Sequence, residues 1–257
     1  MLLDKGDDRM TEITMFQYLD FETIGNCNRR CVTCIRNSHP DRDAISSWFS
    51  GKLLSIDVIK AALDECSKGG FRGGVCLSHY NEPLMDERIA DIAKLVKSYN
   101  QFYPIFLNTN GDFLTAELAK SLDGVLDHII VSLYMDGDAK LKRAEHIVSL
   151  FKITRTDICL MSEHIATHFS PSFDVASLSE KHRGHPCHEP KMRVVINHRR
   201  QFLLCCDDVI GNFDLGAFPE TSIGEYWLGE KHRRIVEDLE RPGGRYLYNY
   251  CKECPRV

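Results

Sequence analysis

The 257-residue chain has no apolar run that approaches the roughly 20 residues needed to cross a bilayer. Its opening stretch, Met1 to Thr11, is acidic and polar and lacks the apolar centre of a signal peptide. These two absences predict a protein without a membrane span in a cytoplasmic setting. There is also no block of basic residues. With 32 Lys and Arg against 37 Asp and Glu the formal net charge is −5, and Arg29-Arg30 and His198-Arg199-Arg200 are too short to neutralise a phosphate backbone. Nucleic acid is therefore not an expected partner. What the chain does have is eleven cysteines. In a reducing compartment they do not read as a disulfide framework, and clustered thiols there more often bind metal.

Seven of those cysteines fall into two groups with ligand-like spacing. The first is Cys27, Cys31 and Cys34, a C-x3-C-x2-C run just after the strand-like segment Phe16 to Ile24. A closed structural zinc site wants four ligands and the ferredoxin run is C-x2-C-x2-C, so three thiols at this spacing leave one coordination position open. Cys66, Cys76, Cys159 and one of Cys205 or Cys206 read as buried small hydrophobes.

Strand-like and helix-like segments alternate through the first 161 residues. Ser55 caps a helix that Gly69-Gly70 stops; Gly74 to Tyr80 is a strand, Asp86 to Tyr99 a helix and Pro104 to Asn108 a strand. Thr115 caps a short helix to Leu122; His128 to Leu133 is a strand, Asp138 to Phe151 a helix and Asp157 to Met161 a strand. A βαβα order predicts an α/β fold with a parallel sheet and helical crossovers, here a partial (β/α) barrel open at one side. Ligands in such sheets sit at the carboxyl ends of the strands, where the cysteine run lies.

Later strand ends carry polar segments of their own: Ser78-His79-Tyr80-Asn81-Glu82-Pro83-Leu84, Asn108-Thr109-Asn110-Gly111 and Val131-Ser132-Leu133. Together with the cysteine run this series resembles the radical S-adenosylmethionine (SAM) superfamily. The resemblance implies that Cys27, Cys31 and Cys34 hold a [4Fe–4S] cluster whose open iron chelates SAM. It implies that Glu82 accepts from the SAM ammonium, that the Asn108 and Asn110 amides reach the sugar or methionine part, and that the Ser132 hydroxyl meets the ribose. Asn81, which stands where the family's Gly-Gly-Glu-Pro segment has its second glycine, is expected with them among the SAM-binding residues. Thr33 stands where many relatives carry an aromatic residue, so adenine packing is expected from elsewhere, with Ile35 and the fifth strand as candidates.

Beyond Met161 the composition shifts to Ser, His and Pro, and a small C-terminal β-hairpin plus helix domain is expected. The division is 1–165 for the barrel and 166–257 for the appendage. Met192 to Ile196 and Phe202 to Cys205 read as the hairpin, Asn197 to Gln201 as its turn and Ile223 to Leu239 as helical. Cys187, Cys205, Cys251 and Cys254 supply four thiolates that could close around one metal centre. They resemble the twitch domain, the shortened SPASM domain that holds an auxiliary [4Fe–4S] cluster, and strand alternation sends Cys206 to the face opposite Cys205. Zinc is the alternative occupant, with His182, His185 and His188 as nitrogen donors.

This layout is similar to the 2-deoxy-scyllo-inosamine dehydrogenase type, which implies oxidation of a secondary alcohol on a small sugar or aminocyclitol and a reducing partner such as flavodoxin or ferredoxin. Epimerisation of a sugar or peptide is the alternative; it needs a hydrogen donor such as Cys76, Cys159 or Cys206. Peptide maturation is disfavoured by the short segment before the first strand, and a non-enzymatic iron–sulfur or zinc sensor would not need an open iron site. His79, Tyr80, Tyr134, Glu163 and His164 are the candidate bases and substrate contacts.

Overall fold

The computed structural model describes residues 16–31, 34, 42–134, 138–161 and 184–254. Among the described residues, seven strands form one open sheet in the order β5-β4-β3-β2-β1-β6-β7. The strands are β1 Tyr18–Phe21, β2 Gly74–Cys76, β3 Ile105–Thr109, β4 His128–Leu133, β5 Arg155–Leu160, β6 Arg193–Ile196 and β7 Phe202–Leu203. All neighbours are parallel except the β6–β7 hairpin. The sheet does not close on itself, as a partial barrel requires.

Strand alternation sorts the side chains. Leu19, Phe21, Val75, Leu107, Ile129 and Val131 are fully buried on one face, the face the helices cover. The opposite face carries Tyr18, Asp20, Cys76, Phe106, Asn108 and Ser132, a polar set for a helix-covered sheet. Helix α2, Ile56–Lys68, buries Ile59, Ala62, Leu63 and Cys66; α3, Ile89–Ser98, buries Ile89, Ile92, Ala93 and Val96. Both sets recur at the three- and four-residue spacing of one helical face. Helix α4, Ala116–Leu122, and α5, Asp138–Ser149, complete the crossovers between β3 and β5. Ser55 and Thr115 cap their helices as the sequence predicts, accepting from the Asp57 and Leu118 amides.

The differences from the sequence reading have local causes. Helix α1, Arg42–Trp48, precedes α2 and has no strong periodic signal. The expected Asp86 start of α3 slips to Ile89, because Pro83–Met85 forms a 3-10 turn and Arg88 clamps the Asp86 carboxylate at 2.8 Å through both Nε and Nη2. Cys159 is exposed rather than buried: it lies on β5, the edge strand, whose residues are all exposed or half-buried.

The hairpin forms where expected. Asn197 Oδ1 accepts from the Arg199 and Gln201 amides at 2.9 Å each, and Arg200 adopts a φ of 72°. Its β6 strand pairs with β1 from Tyr18↔Arg193 to Phe21↔Ile196, so the hairpin continues the barrel's own sheet. Helices α6, Ile223–Leu228, and α7, Glu230–Leu239, then pack back on it, with the Tyr226 ring stacked on Phe202 at 4.3 Å. The 165/166 boundary falls among residues outside those described. No helix among the described residues is long and apolar enough to cross a membrane.

Candidate active site

The polar face of the sheet opens into a cavity of about 380 Å³. Cys27, Cys31 and Cys34 line it, as do Asn81, Glu82, Asn108, Asn110 and Ser132 from the ends of β2, β3 and β4. Residues far apart in sequence thus meet at the carboxyl ends of parallel strands, where crossover geometry leaves backbone and side chains free for ligands.

The cysteine loop is held from the β3 end. Asp112 accepts from Arg29 Nε and Nη2 at 2.7 and 2.5 Å and from Asn28 Nδ2 at 2.7 Å, and the Arg29 guanidinium lies 5.3 Å from the centre of the Tyr134 ring. A two-pronged guanidinium–carboxylate contact fixes orientation as well as distance. It also holds the Asp112 carboxyl below its usual range. Asn110 adds a second tie, donating to Asn28 Oδ1 at 2.8 Å. Burial pushes the Cys31 thiol up, and a nearby Cys27 thiolate pushes it further. Gathered thiolates of this kind need a positive centre to offset their repulsion, and three sulfur donors suit an iron–sulfur cluster with one free corner.

Glu82 is 2% exposed and spans the gap between β2 and β3. Its Oε1 accepts from the Leu84 amide at 3.0 Å and Thr109 Oγ1 at 2.6 Å, and Oε2 from the Asn110 amide at 2.7 Å. Burial raises its pKa while these three donors pull it down. A carboxylate offers about four lone-pair sites, so one remains for a ligand ammonium. The Asn108 amide nitrogen donates to Ser78 Oγ at 3.2 Å. Asn81 Oδ1 takes the His79 amide at 2.8 Å, which shapes the turn on the cavity wall.

One carboxylate joins the cavity wall to the second cysteine group. Tyr80, on the cavity wall, donates its hydroxyl to Asp207 Oδ1 at 2.9 Å, and the Cys254 thiol donates to Asp207 Oδ2 at 3.5 Å. Burial and Asp207 hold the Tyr80 hydroxyl well above its usual range. Burial also raises the Cys205 thiol, with Cys206, the Asp208 and Asp207 carboxylates and Cys254 adding to it. The Cys251 thiol is pushed up to about 12 by burial and by Cys187. Cys205 and Cys254 are thus within electrostatic reach of each other, as are Cys251 and Cys187. Cys206 turns the other way, into the cavity, with its thiol 3.5 Å from Glu189 Oε2. Among the described residues no three His, Cys, Asp or Glu side chains converge closely enough to hold a single metal ion.

Of the candidate bases, His79, Tyr80 and Tyr134 line the cavity. Glu163, His164, His182, Thr33 and Ile35 lie outside the described residues. The sequence reading missed Asp20 and Arg193, which also line the cavity and pair at 2.7 Å. The available signal was an acid and a base at inward positions of neighbouring apolar strands. A larger open groove of about 1220 Å³, between α7 and the turns around Tyr248 and Tyr250, contains none of the cysteines.

The profile of the radical SAM superfamily matches residues 21–148. An S-adenosyl-L-methionine-dependent 2-deoxy-scyllo-inosamine dehydrogenase from Niallia circulans is 22% identical over 253 residues, 95% of this chain and 94% of its own. The crystal structure of BtrN in complex with AdoMet and 2-DOIA superposes with a TM-score of 0.75 at 20% identity over 94% of each chain. Native anSMEcpe with bound AdoMet gives a TM-score of 0.57 at 14% identity, over 93% of this chain and 88% of that one. Together with three cysteines gathered at the mouth of an open parallel sheet, these matches establish that the chain belongs to the radical SAM superfamily, with a [4Fe–4S] cluster and SAM as its cofactors.

Proposed function

We propose that the chain is a radical SAM dehydrogenase that oxidises a secondary alcohol on a small polyhydroxylated molecule, a sugar or an aminocyclitol. The observation that carries this reading is the shared cavity: Cys27, Cys31 and Cys34 face the same space as Glu82, Asn110 and Ser132. The near full-length similarity to a dehydrogenase of an aminocyclitol supports the substrate class.

In this reading Cys27, Cys31 and Cys34 ligate the catalytic cluster, Glu82 takes the SAM ammonium with its remaining lone pair, and Asn110 and Ser132 hold the sugar side. Asn81 and Asn108 brace the strand ends that carry these groups. Cys187, Cys205, Cys251 and Cys254 hold an auxiliary [4Fe–4S] cluster, and a flavodoxin or ferredoxin supplies electrons. When bound, the first cluster supplies the electron that cleaves SAM to a hydrogen-abstracting 5′-deoxyadenosyl radical, and the second accepts the electron left on the substrate carbon. Tyr80, hydrogen-bonded to Asp207 beside Cys254, borders both sites.

Anaerobic protein reduced in the presence of SAM is expected to form 5′-deoxyadenosine and to contain about eight irons per chain. Absence of that nucleoside, or four irons with one zinc, would remove the two-cluster reading. Asp112→Ala removes the carboxylate clamp on Arg29 and one of the two ties on Asn28 between the ligands, and iron retention against a chelator is expected to fall about 10- to 100-fold.

Cys206 in the cavity favours one second reading, an epimerase in which its thiol returns hydrogen to the substrate. Deuterium oxide separates the two, because solvent deuterium fixed at carbon in the product belongs to the epimerase.

A further inference from the structure

Asp20 sits on the body of β1, opposite Cys76 of β2, inward of the strand-end residues that face SAM in the proposed reading. It is 98% buried (2% exposed), yet it lines the cavity. Its Oδ2 accepts from Arg193 Nη1 at 2.7 Å, while its Oδ1 has no hydrogen-bond partner among the described residues. Native proteins rarely leave a buried carboxylate oxygen unsatisfied, because each such atom forfeits its hydration with nothing in return. An orphaned acceptor on a cavity wall therefore marks a place where a ligand donor fits.

The surrounding charge narrows the donor. Arg193 also donates from Nε to Glu189 Oε2 at 3.0 Å, so two carboxylates share one guanidinium. Burial raises the Asp20 carboxyl to about 6, against the pull of Arg193. Near neutral pH it is ionised, and the three groups carry one net negative charge. The other titratable groups nearby do not cancel it. The Cys76 thiol is pushed up to about 12 by burial, and burial lowers His79, which keeps that ring neutral. A hydroxyl would satisfy Oδ1 but leave the charge, whereas a protonated amine answers both. His79 Nε2 is a second buried atom on the same cavity wall with no partner among the described residues. A neutral imidazole nitrogen suits a hydroxyl, which both donates and accepts.

We infer that Asp20 Oδ1 is the anchor for a protonated primary amine on the substrate, with His79 meeting one of its hydroxyls, so that the chain selects amino-polyols over plain polyols. This rests on the small polyhydroxylated substrate class proposed above and adds the residue that chooses within it.

The test is calorimetric titration of the cluster-loaded, SAM-bound protein at pH 7.5 with two matched pairs. These are 2-deoxy-scyllo-inosamine against its counterpart with a hydroxyl in place of the amine, and glucosamine against glucose. The wild type is expected to bind at least one amine roughly 10- to 100-fold more tightly than its partner, the worth of one charged hydrogen bond. Asp20→Asn, nearly isosteric, should remove that preference while changing the hydroxyl compound by less than about 3-fold. The anchor is overturned if the wild type prefers neither amine, or if the variant leaves the amine unchanged or weakens both partners equally. The wild-type comparison decides the matter even if the variant fails to fold. Wild-type protein that makes 5′-deoxyadenosine but ignores the amine sinks only the anchor; protein that selects the amine but never cleaves SAM sinks only the proposed reaction.

Discussion

Cys31→Ala is expected to yield a folded protein that makes no 5′-deoxyadenosine above background and holds about four irons per chain instead of about eight. The Cys31 side chain is half-buried in the loop after β1, outside the hydrophobic core, and its removal opens no packed cavity. In the cluster-free protein the stability change should therefore stay within about 0.5 kcal/mol. Chemistry should respond far more strongly, because the loop offers three thiols and a cluster left with two has lost the arrangement that presents a single open iron. Cys66→Ala is the informative control. Cys66 is fully buried on the core face of α2, and burial holds its thiol protonated, so its loss should reduce stability and spare both iron content and nucleoside formation. Iron determination, chromatography of the nucleoside and a urea transition separate the two variants. Turnover that survives Cys31→Ala would remove the ligand assignment.

Arg193→Met should cost about 3–5 kcal/mol of folding stability at pH 8, the penalty for breaking a buried ion pair from one side. Methionine fills much of the arginine stem's volume, so the loss is mainly electrostatic. Asp20 would then be ionised in the barrel with neither oxygen paired. The sign of the pH dependence follows from its pKa. A carboxyl held at about 6 in the folded state and near 3.9 in the unfolded chain favours folding by taking up a proton. That contribution is complete below about 4 and is lost as pH rises through about 6. Removing Arg193 takes away the main influence lowering the Asp20 pKa and moves the upper limit to still higher pH. The variant's deficit should therefore shrink on acidification from pH 8 to pH 5. Urea transitions at the two pH values test this, and Asp20→Asn combined with Arg193→Met should recover most of the loss. An equal deficit at both pH values would mean that packing, not charge, sets the cost.

What the sequence reveals of this fold is set by which interactions are local. The crossovers were legible because Ser55 and Thr115 cap their helices through the next few amides, and the apolar residues of α2 and α3 recur at helical spacing. The Cys27, Cys31 and Cys34 loop was legible because its spacing is set within eight residues. Asp20 and Arg193 were not, since 173 positions separate them and their meeting depends on β6 pairing beside β1. The Asp112 clamp on Arg29 is likewise a contact across 83 positions. The direction of Cys206 followed from alternation alone, whereas its approach to Glu189 needed the fold. The exposure of Cys159 is not legible in the sequence, because hydrophobic character says nothing about whether a strand is central or at the edge.

The pairing of β6 with β1 has a dynamic consequence. The strand between Cys187 and Cys205 is hydrogen-bonded, rung by rung, to the strand that leads into Cys27. Separating the two groups of thiols would mean tearing that ladder, not flexing a tether, so their distance should fluctuate with the stiffness of a sheet. Electron hopping between centres held this way would be insensitive to solvent viscosity, unlike transfer between modules that must first swing together.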